Sequence, residues 1–261
     1  MGSEYRYKDP WLAEIYDTAY GAEWGERDIP LFLGLAEESG GPVLELACGT
    51  GRVLLPLARA GYQVTGLDIS PHMLAVGRRK IQKEQADVRE RVRLVEGDMS
   101  EFAFEERFAL ILIPCRAFQA LLERGDQRRC LRCCAAHLRP GGRGVIDVFE
   151  PRLARISTRG GVDEAPHEYV LPDGTAVRET AHTDYDLAQQ RLVWHARYEC
   201  KEPDGKITVR EQPTTLRYFF RFEMEWMLEA CGFEVEALYG DFDRRPFAGE
   251  GREMIFVARR K

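Results

Sequence analysis

The chain has 261 residues, 44% of them hydrophobic and 31% charged, with a formal net charge of −6. This is the composition of a soluble globular protein, long enough for one large domain or a domain with an insertion. The acidic balance counts against nucleic-acid binding by counterion release, which needs clustered Lys and Arg. No apolar run approaches the ~18 residues of a membrane span, and the first residues lack the apolar stretch of a secretion signal, so a cytoplasmic location is expected. Seven scattered cysteines fit a reducing compartment better than a disulfide framework. Cys130, Cys133 and Cys134 have the look of a metal half-site, but no second Cys or His pair stands at zinc spacing, and no metal is expected.

Residues 4–40 are expected to form one or two helices. Asp9 is a candidate N-cap and Pro10 suits the first helical position. Tyr16 and Tyr20, four apart, share a face, and either pack as an aromatic stripe or close over a ligand. Val43 to Leu46 reads as a buried strand that runs into the turn Ala47-Cys48-Gly49-Thr50-Gly51. A glycine turn between a strand and a helix lets backbone approach a ligand and presents free N–H groups. Arg52 to Ala60 is the predicted helix, and Gln63 to Asp68 the second strand. Asp68 stands at its carboxyl end, 17 positions after Gly51, where one carboxylate can accept from both hydroxyls of a ribose. A helix is predicted from Ser70 to about Gln85, with Met73 among its apolar contacts. The third strand, Val92 to Val95, delivers Asp98, an acceptor suited to an exocyclic amine or to a capped turn.

Phe108 to Ile113 is a near-continuous apolar run, as in a central strand buried on both faces. A helix from Asp126 to Leu138, a stop at Arg139 to Gly142 and a fifth strand from Gly144 to Phe149 complete a βα rhythm that predicts a doubly wound α/β sheet. From 150 to 217 that rhythm breaks. Asp173-Gly174 and Asp204-Gly205 mark hairpins. Leu192, Trp194, Ala196, Tyr198 and Cys200 alternate onto one face, and Ile207 to Arg210 and Leu216 to Phe222 look like further strands. Residues 150–217 are therefore expected to be an inserted antiparallel β subdomain, serving as substrate lid or dimer surface. It would divide an N-terminal part, 1–149, from a C-terminal part, 218–261, that resumes the core with a helix from Glu223 to Ala230 and two antiparallel strands.

Taken together, Glu45-x-Ala47-x-Gly49-x-Gly51, Asp68, Gly97-Asp98-Met99 and Leu138 to Gly142 resemble the class I S-adenosylmethionine-dependent methyltransferases. The resemblance covers roughly residues 9–149 and 218–259. Alanine at 47 departs from the family glycine. A dinucleotide fingerprint would need glycine where Leu54 stands, and Glu45 suits an ammonium better than a pyrophosphate. The resemblance implies a Rossmann-like seven-stranded methyltransferase sheet. It also implies S-adenosylmethionine as cofactor and S-adenosylhomocysteine as product, Tyr16 or Tyr20 enclosing the methionyl end, and Ile69 and Met99 flanking the adenine. Ala47, Arg52, Met73 and Ile113 complete the expected contacts. The insertion and the leading Tyr16-Asp17 helix are similar to the sugar N,N-dimethyltransferases.

Methyl transfer from a sulfonium is an in-line displacement with an excellent leaving group, so positioning and exclusion of water matter most. A hydroxyl acceptor needs a base, whereas a neutral amine needs little help. The candidates are few: His182 and His195 on the inserted strands, His167 near the insertion's start, His72 close after Asp68, and Tyr20. Arg116, after the fourth strand, is placed to grip a substrate carboxylate or phosphate, or to form a surface salt bridge. Arg217 and Arg221 alternate with aromatics that could wall a pocket. The expected activity is methyl transfer to N or O of a small molecule. The alternatives are a cofactor-binding protein without turnover and an RNA or protein methyltransferase. The acidic charge and Ile113-Pro114-Cys115-Arg116, which lacks the Asn/Asp-Pro-Pro-aromatic segment, count against the second of these. A homodimer through the insertion is a further expectation.

Overall fold

The computed structural model describes residues 9–249 and 251–261; the start of the predicted leading segment, 4–8, lies outside them. The apolar runs become parallel strands: β1 (Val43–Leu46), β2 (Val64–Asp68), β3 (Val92–Glu96), β4 (Phe108–Ile113) and β5 (Leu138–Phe149). Next come β6 (Val162–Asp163), β7 (His167–Val170), β8 (Ala176–Asp186), β9 (Arg191–Lys201) and β10 (Ile207–Arg217), then β11 (Phe233–Tyr239) and β12 (Glu253–Arg260). The main sheet runs β11-β12-β5-β4-β1-β2-β3, with β12 antiparallel to both its neighbours. Every residue of β1, β2 and β4 is buried, as helices on both faces require. The helices are α1 (Pro10–Trp24), α2 (Ile29–Ser39), α3 (Leu54–Arg59), α4 (Pro71–Ile81), α5 (Ala86–Glu90), α6 (Arg124–His137), α7 (Leu153–Ile156) and α8 (Arg221–Ala230).

Several boundaries move from their predicted positions for local reasons. The helix after the glycine turn begins at Leu54, two residues late, because Gly51 takes a φ of 77° and the chain is still turning. The helix expected from Ser70 to about Gln85 is α4 alone and ends at Ile81; a turn follows, and a separate short helix, α5, begins only at Ala86. β5 starts at Leu138 rather than Gly144. It absorbs the glycine turn through a register shift against β4, with Gly141 at φ 74°. β10 is one strand instead of two. Pro213 is tolerated inside it because β10 is an edge strand, where a missing N–H need not break a ladder. Tyr218 and Phe219, expected in a strand, leave the sheet and are buried ahead of α8.

The strands from 150–217 form their own five-stranded sheet, in the order β10-β9-β8-β6 with β7 also on β8. Helix α1 joins this sheet to the core. Asp9 caps it, accepting from the Trp11 N–H at 2.8 Å. Leu12 and Ile15 pack with Val177, Ala196, Tyr198 and Cys200, and Trp11 meets Tyr198 edge-on at 5.4 Å. The next positions round the helix face the core, where Ala13 and Tyr16 pack with Met73 and Val76. Asp17 then ties the helix to the glycine turn. It accepts from Thr50 Oγ1 at 2.6 Å and from Lys80 Nζ at 2.7 Å.

If α1 is the joint between the sheets, Leu12→Ala should cost about 2–5 kcal/mol, the usual range for an emptied leucine site. Urea denaturation checks this; a loss under about 1 kcal/mol would mean that the helix is only loosely seated.

Candidate active site

After β1 the chain builds β2 and β3 on one side and then crosses back to place β4 and β5 on the other. The carboxyl ends of β1 and β4 therefore flank a topological switch point, where open α/β sheets bind ligands. β12 runs the opposite way, so its first residue, Glu253, comes to the same edge. From above, α1 and the residue before α2, Asp28, reach this edge.

On the β1–β2 side the loop is held in shape by its own acid. Gly49 (φ 54°) donates its N–H to Asp68 Oδ2 at 2.7 Å, and Ser70 donates its N–H to Oδ1 at 2.7 Å. Each oxygen keeps lone-pair capacity for a further donor such as a ribose hydroxyl. Burial raises the Asp68 carboxyl above its usual range, opposed by those two N–H groups. Ala47 takes a φ of 54°, a left-handed conformation that the family glycine adopts without strain. A Cβ at Gly49 would lie 2.8 Å from Met73 Cε, so the loop backbone sits directly on α4. Ile69 beside Asp68 is 46% exposed, a large apolar side chain offered to the edge. Asp98 is exposed and accepts from the Ser100 N–H at 2.7 Å, the capped turn weighed for it above. Met99 is half-buried against the core, and Ile113 is buried at the end of β4.

Glu45 is 2% exposed, and its Oε2 has no hydrogen-bond partner among the described residues. Burial pushes its carboxyl up to about 8. The negative charges of Asp68 and Asp28 add to this, and Arg52 and Lys80 oppose it. An ammonium would satisfy such a group, and the amino end of S-adenosylmethionine carries one. With the backbone cradle at Gly49 and the spare capacity on Asp68, the residues present fit that cofactor.

On the β4–β5 side lies a buried ionic cluster. Arg52 gives both terminal nitrogens to Asp28, at 2.8 and 2.5 Å, and one of them also reaches Cys115 Sγ at 2.9 Å. The Arg52 guanidinium stacks on the Tyr20 ring at 4.1 Å, and the Tyr16 and Tyr20 rings lie 5.6 Å apart. Burial strongly suppresses ionisation of the Tyr20 hydroxyl. Cys115 and Arg116 both adopt left-handed backbone, with φ 57° and 60°. Such strain persists only where surroundings enforce it. Here the turn directs the Arg116 N–H to Asp147 Oδ2 at 3.3 Å and its guanidinium to Glu253, at 2.5 and 3.3 Å. Arg27 approaches the same carboxylate at 3.6 Å. Asp147 is 2% exposed, and burial, followed by the charge of Glu253, pushes its carboxyl up to about 8.

Several expected roles meet a different geometry. Arg116 is committed to a buried carboxylate and forms neither a surface bridge nor a free grip. Arg52 serves Asp28 and Tyr20. Arg217 donates to the Leu122 carbonyl, and Arg221 pairs with Glu225 on the exposed side of α8, so neither extends the crevice cluster. His182 and His195 are cross-strand neighbours on the sheet face opposite the one packed on α1. There His182 Nδ1 meets Asp163 at 2.7 Å, and His195 Nε2 meets Asp184 at 3.2 Å. His72 is exposed, and His167 lies on β7 in the second sheet. Asp28, Asp147 and Glu253 were missed. Their only sequence signal is a lone acid inside or beside an apolar strand.

In sequence and in fold the chain is similar to known methyltransferases. Residues 43–142 match the family described as a methyltransferase domain. The dTDP-3-amino-3,6-dideoxy-alpha-D-glucopyranose N,N-dimethyltransferase of Streptomyces fradiae is 27% identical over 236 residues, covering 88% of this chain and 86% of that enzyme. The solved CcbJ methyltransferase of Streptomyces caelestis is 27% identical, with a TM-score of 0.80 and 99% of each chain covered. The glycopeptide N-methyltransferase MtfA, solved with S-adenosylmethionine bound, is 25% identical, with a TM-score of 0.59 and coverage of 90% and 93%.

Glu45 and Asp147 ionise at lower pH in the unfolded chain, at about 4.3 and 3.9. A carboxyl raised on folding contributes stability that is present below the unfolded value and lost as pH rises through the folded one. The ligand-free protein should therefore lose stability between pH 4 and about 8 through these two groups. Glu45→Gln should recover about 5 °C or more of Tm at pH 8.5 and little at pH 4.5. Thermal melts at the two pH values test this; equal shifts would show that Glu45 is not raised.

Proposed function

The chain is an S-adenosylmethionine-dependent methyltransferase, and we propose that it transfers the methyl group to an amine of a small molecule. One observation carries the choice of an amine. The crevice edge holds five carboxylates, Asp28, Glu45, Asp68, Asp147 and Glu253, all buried. Facing them are three guanidiniums, Arg27, Arg52 and Arg116. A buried excess of acid favours ligands that bring positive charge, because an unpaired buried carboxylate is costly. S-adenosylmethionine supplies a methyl group on a sulfonium, activated for displacement by any aligned nucleophile. An amine acceptor suits the rest of the crevice. A hydroxyl acceptor needs a base, and the imidazoles weighed for that task stand elsewhere.

The named residues divide the work. Asp68 and Asp98 accept from the ribose and the adenine, with Ile69 and Met99 as apolar walls. Glu45 and the Gly49–Gly51 backbone hold the amino-acid end. Tyr16 and Tyr20, clamped by Arg52 and by the Asp17 latch, cover the methionyl end and exclude water. Two of the relatives named above are N-methyltransferases by name, one of an amino sugar nucleotide and one of a glycopeptide, and this supports the reading. The second sheet, seated on α1 beside the crevice, is the insertion that shapes the acceptor's entrance.

Tritium-methyl S-adenosylmethionine, offered with matched panels of amino sugars, amino sugar nucleotides and their hydroxyl counterparts, tests the proposal. Label should appear on nitrogen, at a rate at least about 100 times that for the hydroxyl partner. Label on oxygen, or only on RNA or protein, would overturn it.

A further inference from the structure

Asp147 is the one member of the acid cluster placed on the acceptor's side with an oxygen to spare. It sits on β5, opposite Ile255 of β12 and one residue past the Ile113–Ile146 pairing with β4. The cofactor groups Glu45 and Asp68 lie on β1 and β2, across the switch point. Asp147 Oδ2 takes the Arg116 N–H, whereas Oδ1 is buried with no hydrogen-bond partner among the described residues. The guanidinium that could have satisfied it is spent on Glu253. The groups that face Asp147 are Tyr20 on α1, Asp28 before α2, Cys115 and Arg116 after β4, and Glu253 on β12. Most of these are acids or neutral. A buried carboxylate oxygen left without a donor costs free energy unless a ligand provides one.

We propose that Asp147 Oδ1 binds the acceptor's ammonium group and takes the proton that this nitrogen must lose before methylation. This rests on the amine reading above and makes the acceptor a primary or secondary amine that enters in its protonated form. The steps balance. The ammonium donates to Oδ1 on binding. One N–H proton passes to Oδ1, leaving a nitrogen lone pair. That pair forms the N–C bond as the C–S bond breaks, and the sulfur keeps the bonding electrons as a neutral thioether. Asp147 then returns its proton to solvent when the product leaves. Its carboxyl, raised to about 8, is close in proton affinity to an amine, as efficient transfer requires. Tyr20, its ionisation suppressed by burial, stays a neutral wall beside this site.

The test uses the full chain loaded with S-adenosylhomocysteine and titrated with methylammonium chloride against sodium chloride at constant ionic strength. Binding is read by calorimetry and by thermal shift, with methanol as the neutral control. The unaltered protein should bind methylammonium at least about tenfold more tightly than sodium, as expected of a charge-assisted hydrogen bond. It should bind more strongly as pH rises from 6.5 to 8.5. Asp147→Asn should abolish the preference, leaving S-adenosylhomocysteine affinity within about twofold. Asp147→Glu should restore part of it, which separates loss of the carboxylate from loss of fold. An Asn variant that keeps the preference, or an unaltered protein that shows none, would overturn the role of Asp147. The amine reading itself falls only if the tritium survey places label on oxygen, RNA or protein.

Discussion

Too many carboxylates are buried at one edge of the sheet for the guanidiniums that neutralise them, and the rest of the site depends on that imbalance. Burial alone drives a carboxylate toward its neutral form. Asp28 and Glu253 escape by pairing with Arg52 and Arg116. Glu45 and Asp147 each keep one oxygen without a donor, and both are pushed up to about 8. They stand on opposite sides of the switch point, Glu45 beneath the glycine turn on β1 and Asp147 on β5, where we place the acceptor. A cationic amino-acid tail and a cationic amine are the partners that such a pair selects.

The fold supports this chemistry by bringing distant segments to one edge. Four carboxyl-terminal strand ends and one antiparallel strand start converge there. α1 lies across them with one face on the second sheet and the next on α4. Its Asp17 bonds to Thr50 inside the glycine turn, so seating the helix and shaping the cofactor loop are one event. A helix that joins both sheets and reaches the crevice couples the crevice to docking of the insertion. It also holds the Tyr16 and Tyr20 rings together above Arg52.

What was legible in the sequence is what depends on near neighbours. Val43 to Gly51, Asp68 and Gly97-Asp98 could be read because a strand, a turn and an acid at a strand end are local patterns. The alternation from Leu192 to Cys200 foretold the face that meets α1. The acid cluster could not be read. The Arg116–Glu253 pair spans 137 positions and the Arg52–Asp28 pair 24, and no local pattern joins their members. Arg116 was therefore free to look like a substrate grip when its partner was already inside the protein. His182 and His195 drew attention as rare titratable groups. The parity of β8 and β9 instead turns them away from the crevice, together with Arg178 and Arg197, around a groove of about 720 Å³.

The central claim is that the crevice buries two acids without cationic partners, Glu45 and Asp147, whose ionisation is coupled to the arrival of a cation. S-adenosylmethionine and S-adenosylhomocysteine share one framework and differ by a methyl group and a positive charge. Their dissociation constants, measured by calorimetry across pH 6 to 9, compare the crevice with and without a cation at its centre. Ionisation of Glu45 and Asp147 should tilt the ratio toward the sulfonium by about tenfold as pH rises through 8. A ratio that stays flat across that range, or that tilts toward the neutral thioether, would contradict the account.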